Sequence, residues 1–244
     1  MDTVIIQSLW IGQGITNNER LCMRSFLHHG HSFHLYVYEP ITGIPAGVEI
    51  RDANEIIPAE KVFRDLRGTY ASFADWFRLK LLYQRGGWWV DTDVVCLQPF
   101  DETDDYCFSS ETHYNRTDIL VNNTYLKAPA GSPVLAELLA EVETRLGDRT
   151  TVEWGAVGIG LFREFATRHP ELGPFLRPPE VFCPLPYYDL SSLICKSDYV
   201  PATDTKAIHL WNEIWRGGSL DKNAIYHPDS IYERLKRQYL TTDY

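Results

Sequence analysis

Apolar and polar positions alternate along this chain with two periods, and the switches between them mark out strands and helices. Residues 4–10 form a β-prone apolar run that stops at Gly12-Gln13-Gly14. A loop with two glycines after a first strand is a common ligand-binding place in α/β sheets. Asn17 or Asn18 is placed to cap a helix running to about His28. Phe33, Leu35 and Val37 then alternate with His34, Tyr36 and Tyr38, the two-residue period of a strand. Glu49-Ile50 predicts a short strand. A helix is predicted over 73–85, with Ser72 as its cap and Gly86 as its stop. Residues 88–97 read as one buried strand interrupted by Asp91 and Asp93, and shorter strands are predicted at 107–111 and 124–126.

Further on, Ser132-Pro133 combines a cap with proline at the first helical position. Val134, Leu135, Leu138, Leu139, Val142 and Leu146 follow at helical spacing as far as Gly147-Asp148. Helices are also predicted over 157–168 and 230–239, and a late strand over 207–210. Between them, 170–186 is dense in proline and reads as an ordered, irregular wrapping segment. Strands alternate with helices through the first 170 residues without a flexible linker. The expectation is one α/β domain over 1–244, whose part from about 170 onward is an irregular and helical extension closing the site.

Composition narrows the classes. A chain of 244 residues with 44% hydrophobic and 23% charged residues is ordinary for a globular α/β protein. A net charge of -10 is a poor match to a nucleic-acid backbone, so no nucleic-acid partner is expected. A nucleotide as a small ligand stays compatible, because a divalent cation can supply local positive charge. No apolar run reaches about 18 residues, so no membrane span is expected, and no basic leader or cleavage pattern opens the chain. Cys22, Cys96, Cys107, Cys183 and Cys195 are irregularly spaced and read as buried free thiols of a reducing compartment. Asn115-Arg116-Thr117 and Asn122-Asn123-Thr124 match the weak glycosylation pattern.

The chemistry concentrates at Asp91-Thr92-Asp93. Carboxylates two apart on a strand share a face, and if the strand ends there they still lie close in the next turn. In an apolar setting such a pair repels itself and takes up protons unless a cation binds. Oxygen ligands favour magnesium, calcium or manganese, with open positions for phosphate oxygens. Facing water at the end of an edge strand is the plainer alternative. Asp75 and Arg78 share one face of the preceding helix. Ser72 and Asp75 also fit a capping box, and Arg78 an intrahelical salt bridge. His209 has the chemistry to complete a carboxylate metal site or to be structural. His28, His29, His31 and His34 lack the spacing of a zinc site. No nucleophile elbow, Walker loop, kinase signature or Cys-x-x-Cys is present.

Residues 72–93, with Asp75-x-x-Arg78, Leu82-Tyr83, Gly86-Gly87 and Asp91-Thr92-Asp93, resemble the sugar-nucleotide-binding region of DXD-motif glycosyltransferases. The likeness is to family 32, which takes in α-1,4-galactosyltransferases, yeast α-1,6-mannosyltransferase and bacterial capsule and lipopolysaccharide enzymes. Ile5 to Gly12, Asn122-Asn123, Lys127 to Pro133 and His209-Leu210-Trp211 are similar to other landmarks of that family. The resemblance implies a GT-A fold, an open and mostly parallel Rossmann-like sheet flanked by helices. It implies manganese or magnesium on Asp91, Asp93 and His209, and a UDP-sugar donor carrying galactose, glucose or N-acetylglucosamine. Trp10 would stack on the base, Asp75 and Arg78 would contact the sugar or ribose, and Gly86, Gly87, Thr92 and Trp211 would complete the donor site. Asn122 and Asn123, with Glu111, would lie near the anomeric carbon of a retaining reaction. The acceptor would be a glycan or lipid-linked oligosaccharide of bacterial surface polysaccharide synthesis, at a cytoplasmic enzyme that visits the inner face of the membrane. The family's closing His-x-x-Ser-Trp-like pattern is matched only by His209 and Trp211, and the membrane anchor of the eukaryotic relatives is missing.

Two other classes remain. A phosphohydrolase or nucleotidyltransferase with an Asp-x-Asp centre would need further acidic ligands, and Asp101, Asp104 and Asp105 read instead as an exposed loop. A non-catalytic sugar-nucleotide-binding protein would keep the fold with a degenerate site.

Overall fold

The computed structural model describes residues 4–114, 119–147 and 151–240. The Asn115-Arg116-Thr117 pattern and Asp148 lie outside the described residues. The strands are β1 (Ile5–Trp10), β2 (Ser32–Val37), β3 (Val48–Asp52), β4 (Gly87–Val90), β5 (Val94–Cys96), β6 (Cys107–Thr112), β7 (Ile119–Ala128) and β8 (Ala207–His209). The helices are α1 (Asn17–His28), α2 (Ala71–Arg85), α3 (Pro133–Leu146), α4 (Ile159–Arg168), α5 (Pro179–Phe182), α6 (Leu190–Ile194), α7 (Asn212–Gly217) and α8 (Ile231–Tyr239).

The main sheet has the order β3-β2-β1-β4-β7-β6. Its first four strands are parallel, while β7 runs antiparallel to both β4 and β6. The predicted alternation in β2 holds: Phe33, Leu35 and Val37 pack into the apolar cluster with α1 and α8, and Tyr36 into the one with α2, α3 and α4. Trp88 and Trp89 divide in the same way. Two faces, each covered by helices, explain why the central strands are apolar on both sides. This is the GT-A, Rossmann-like architecture.

Four local expectations change. The cap of α1 is Thr16, which forms a capping box with Glu19, so Asn17 and Asn18 are already helical. Helix α2 begins at Ala71 rather than Phe73, and Ser72 is not its cap. The Asp65 carboxylate organises the preceding loop by accepting from the Arg67 and Thr69 amides, each at 3.0 Å, and the Thr69 hydroxyl accepts from Ala71 N at 3.2 Å. Ser72 instead donates to the Glu153 carbonyl at 3.3 Å, which frees Asp75 from any capping role. The run 88–97 is two strands: the chain leaves the main sheet at Asp91, and β5 pairs antiparallel with β8 in a separate sheet. Strand β7 extends well past 124–126: Asn122 pairs with Ser109 of β6, Asn123 and Thr124 fall at the register shift between Phe108 and Ser109, and all three are buried.

The wrapping segment after α4 contains a 3-10 turn over Pro170–Phe175 and then α5, and it seals the β6 edge as Arg177 N donates to the Phe108 carbonyl at 2.8 Å. Cys22, Cys96, Cys107 and Cys183 are buried free thiols, but Cys195 is exposed. Among the described residues no helix is long and apolar enough to cross a membrane.

Candidate metal and donor site

The carboxyl ends of the central parallel strands open onto a cavity of about 1000 Å³, the place where open α/β sheets bind ligands. Asp91 stands at the end of β4, with its backbone N–H held by the Thr124 carbonyl at 3.1 Å. Its Oδ1 accepts from Trp89 Nε1 at 3.0 Å and lies 3.1 Å from Arg78 Nη1. Arg78 is buried and central. It pairs with Asp75 Oδ1 at 3.1 Å, donates to the Asn123 carbonyl at 2.5 Å and lies over the Trp89 ring at 5.1 Å. Asn123 Nδ2 in turn donates to Asp75 Oδ1 at 2.8 Å. The intrahelical salt bridge of Arg78 therefore exists, and the same guanidinium also reaches Asp91. The backbone of Gly158 closes against Asp75: a Cβ there would lie 1.8 Å from Oδ2.

Asp93 begins the excursion to the second sheet. The pairing of Val94 with His209 across β5 and β8 brings His209 Nε2 to 3.3 Å from Asp93 Oδ2. Asp93 Oδ2 also accepts from Asn212 N at 2.5 Å. Donor atoms of Asp91, Asp93 and His209 lie within 4.8 Å of one another. His209 Nδ1 is buried and has no hydrogen-bond partner among the described residues. Two carboxylates and one imidazole form a set that manganese or magnesium accepts, and an orphaned buried nitrogen beside two acids fits such an ion.

The electrostatics agree. Burial pushes Asp91 above the usual carboxylate range, Arg78 opposing and Asp93 adding to the rise. Burial also acts to raise Asp93, but His209 and the Asn212 N–H outweigh it and hold Asp93 low. Burial acts to lower His209, and Asp93 overcomes it, leaving the imidazole raised. Asp75 is pushed up to about 6 by burial, with Arg78 opposing. Perturbed carboxylates in a cleft mark a functional site, and a bound cation would relieve the repulsion.

Trp211 takes a left-handed backbone, φ 61 and ψ 59, rare for a large side chain. Its indole donates to the Leu185 carbonyl at 2.8 Å, and its ring lies 3.9 Å from that of His209. Such strain costs about 1–3 kcal/mol and persists only where surroundings impose it. Trp10 and Thr92 line the same cavity. Trp10 is half-buried, and its Nε1 has no partner among the described residues. Asn122, Asn123 and Glu111 line the cavity as well; Asn122 donates to Glu111 Oε2 at 2.5 Å, while Glu111 Oε1 pairs with Arg163 at 2.7 Å.

Gly86 and Gly87 are a correction. They lie at the opposite end of β4 from the aspartates and outside the cavity. Gly86 ends α2 with φ 66, and a Cβ there would meet Ala130 N at 2.6 Å. They turn the chain and approach neighbouring backbone closely; they do not meet the cavity.

Several cavity residues were not legible beforehand. Asn212, whose amide holds Asp93, donates through Nδ2 to Glu19 Oε1 at 3.0 Å, and Lys222 Nζ lies 3.4 Å from the same oxygen. Lys222, Arg163 and Trp154 also line the cavity. Only Asn212, three residues beyond His209, carried a local hint. Asp101 and Asp104, the acids that follow the pair in sequence, are taken by Lys206 and Arg177. The Asp91, Asp93 and His209 group is the one acidic metal cluster among the described residues, which disfavours the phosphohydrolase alternative.

Comparison with known proteins agrees with this geometry. Residues 24–109 match the family described as glycosyltransferase sugar-binding region containing DXD motif. The matched stretch holds Asp75, Arg78, Asp91 and Asp93, and it stops short of Asn123 and His209. No curated protein sequence matches the chain. A solved structure described as PaToxG Glycosyltransferase is similar at 16% identity and a TM-score of 0.50, over 70% of each chain; that likeness is one of fold. The chain thus has a GT-A-type fold, a stretch that resembles the DXD-motif sugar-binding region, and a largely buried Asp91, Asp93 and His209 cluster capable of holding a divalent metal.

Proposed function

We propose that this chain is a metal-dependent, retaining hexosyltransferase of the family 32 type, transferring galactose, glucose or N-acetylglucosamine from a UDP-sugar to a hydroxyl of a glycan or lipid-linked oligosaccharide. Bacterial surface polysaccharide synthesis is the setting that the resemblance favours, and residues 1–244 act as one catalytic unit. The observation that carries the reading is the continuity of two groups in one cavity. Arg78 joins Asp75 and Asn123 to Asp91, and Asp91 joins Asp93 and His209.

Asp91, Asp93 and His209 would hold manganese or magnesium. When bound, that ion supplies Lewis-acid stabilisation for the charge growing on the leaving diphosphate. Lys222 adds a second cation toward the phosphates. Trp10 offers its ring to the base, while Thr92 and Trp211 border the donor. Asp75, Arg78 and Asn123 present acceptors and donors to the hexose hydroxyls, and their mutual hydrogen bonds pre-set their orientation. Asn122 acts less directly, through Glu111. In a same-face substitution the bond from anomeric carbon to phosphate oxygen breaks with its electron pair leaving on UDP. The acceptor oxygen forms the new bond, and its proton passes to the released phosphate oxygen.

The test is calorimetric titration of UDP-hexoses, UDP and GDP-mannose, with and without manganese. Manganese-dependent binding of a UDP-sugar is expected, together with its loss in Asp91→Ala and Asp93→Ala. Unchanged donor affinity in both variants with metal present contradicts the proposal.

A further inference from the structure

Past the metal cluster the cavity wall becomes aromatic. His113, just after β6, and Tyr187, between α5 and α6, both line it, with ring centres 6.3 Å apart. Tyr187 meets Trp211 edge-on at 6.0 Å, and Trp211 lies against His209. In the outward direction Tyr187 meets Tyr188 at 5.3 Å, and Tyr188 meets Tyr114 at 5.1 Å. Tyr188 and Tyr114 lie beyond the cavity lining and are 45% and 54% exposed. The rings thus form an unbroken run from the metal cluster to the outer surface, supplied by three segments distant in sequence. The hydroxyls of Tyr114, Tyr187 and Tyr188 make no hydrogen bond to any described residue.

The chemistry of this run selects its occupant. Tyrosine gives a rigid apolar face with a polar tip, at little cost in side-chain entropy. A sugar ring is its complement, with C–H groups on its faces and hydroxyls around its rim. An acyl chain would call for an enclosed aliphatic groove, whereas these outer rings are open and tipped with hydroxyls. A nucleic-acid strand would call for cations, on a chain of net charge -10. The steps between successive rings are comparable with the length of one pyranose unit, and the run ends at Trp211, beside the group that would hold the donor diphosphate.

We propose that Tyr187, Tyr188 and Tyr114 form an acceptor track for a saccharide chain of several units, which delivers its terminal hydroxyl to the donor past Trp211. The acceptor role rests on the glycosyl transfer proposed above; the saccharide-binding surface can be tested separately.

The probes are glucose, galactose and N-acetylglucosamine beside maltotetraose, β-1,4-galactotetraose and chitotetraose. Their binding is measured by ligand-observed NMR on the full chain, with and without manganese and UDP. At least one tetrasaccharide should bind about tenfold more tightly than its own monosaccharide, and a Tyr114→Ala/Tyr188→Ala double variant should lose that gain. Retained manganese-dependent UDP affinity in the double variant shows that it is folded. The proposal is overturned if no tetrasaccharide gains over its monosaccharide, if the gain survives in the double variant, or if a serine- and threonine-rich peptide binds the tyrosines in place of the saccharides. Loss of the transfer reading has a different signature, namely absence of manganese-dependent UDP-sugar binding by the unmodified chain.

Discussion

Arg78 Nη1 lies 3.1 Å from Asp91 Oδ1, tying helix α2 to the strand end that bears the two acids of the candidate metal cluster. The same guanidinium lies 3.1 Å from Asp75. Removing it leaves the buried Asp75 and the half-buried Asp91 without their cation, and breaking a buried pair in this way costs about 3–5 kcal/mol. Arg78→Ala is therefore expected to be strongly destabilised in chemical denaturation. Arg78→Lys should recover only part of the loss, since one ammonium cannot serve Asp75, Asp91 and the Asn123 carbonyl in the geometry of a planar fork. Equal stability of Arg78→Lys and the parent would show that this geometry is unimportant.

Asp75 makes metal-free stability depend on pH with an uncommon sign. Its folded-state value of about 6 lies above the unfolded carboxylate range near ~3.9. Below both values the carboxyl is protonated in both states and costs nothing. As pH rises from about 4 through 6, the unfolded state sheds its proton first, and folding loses on the order of 3 kcal/mol by neutral pH. Asp75→Asn lacks this titration. In chelator, thermal melts from pH 4.5 to 7.5 should show the variant gaining relative to the parent as pH rises. A constant difference across that range would refute the assignment.

Gly158 is needed for space. An added Cβ would fall 1.8 Å from Asp75 Oδ2. Gly158→Ala should cost about 1–3 kcal/mol through overpacking. By displacing Asp75 it should lower donor turnover by about 10²-fold, because a shift of roughly 1 Å at a positioning group has that effect. Manganese affinity should change little. Steady-state kinetics with metal titration separates the two effects.

Gly86 should behave in the opposite way. Its φ of 66 and its contact with Ala130 N make Gly86→Ala destabilising by about 1–3 kcal/mol. The donor KM at a permissive temperature should stay as in the parent, since Gly86 does not line the cavity. A raised donor KM with unchanged stability would restore the donor-binding role that its place in the motif implied.

Metal should stabilise the fold. Manganese at about 100 times its dissociation constant adds about 2.7 kcal/mol if it binds only the folded chain. His209→Ala removes the imidazole and should shift that gain to higher manganese concentrations. A melting-temperature series in manganese, repeated in chelator, reads both effects.

Much of the candidate site was legible in local sequence. The helix carrying Asp75 and Arg78, its glycine stop and the acidic pair at the end of an apolar strand follow from spacing, because each uses contacts only a few residues apart. The cap of α2 was misplaced because Asp65 and Thr69 satisfy that helix start from within the preceding loop, leaving Ser72 free to bond Glu153. Strand β7 was underestimated because Asn122 and Asn123 interrupt its apolar pattern, although both are buried among polar partners.

By itself, then, the sequence determined an α/β chain with a carboxylate pair that calls for a cation, since periodicity and desolvation act locally. Tertiary structure alone decided which groups share the cavity. The β5–β8 pairing brings His209 to Asp93, Asn123 closes on Asp75, and Gly86 and Gly87 fall at the far end of β4. It also placed Tyr114 beside Tyr188 at the mouth. These are contacts between segments distant along the chain, made only when helices cover both faces of the sheet, and no periodicity encodes them.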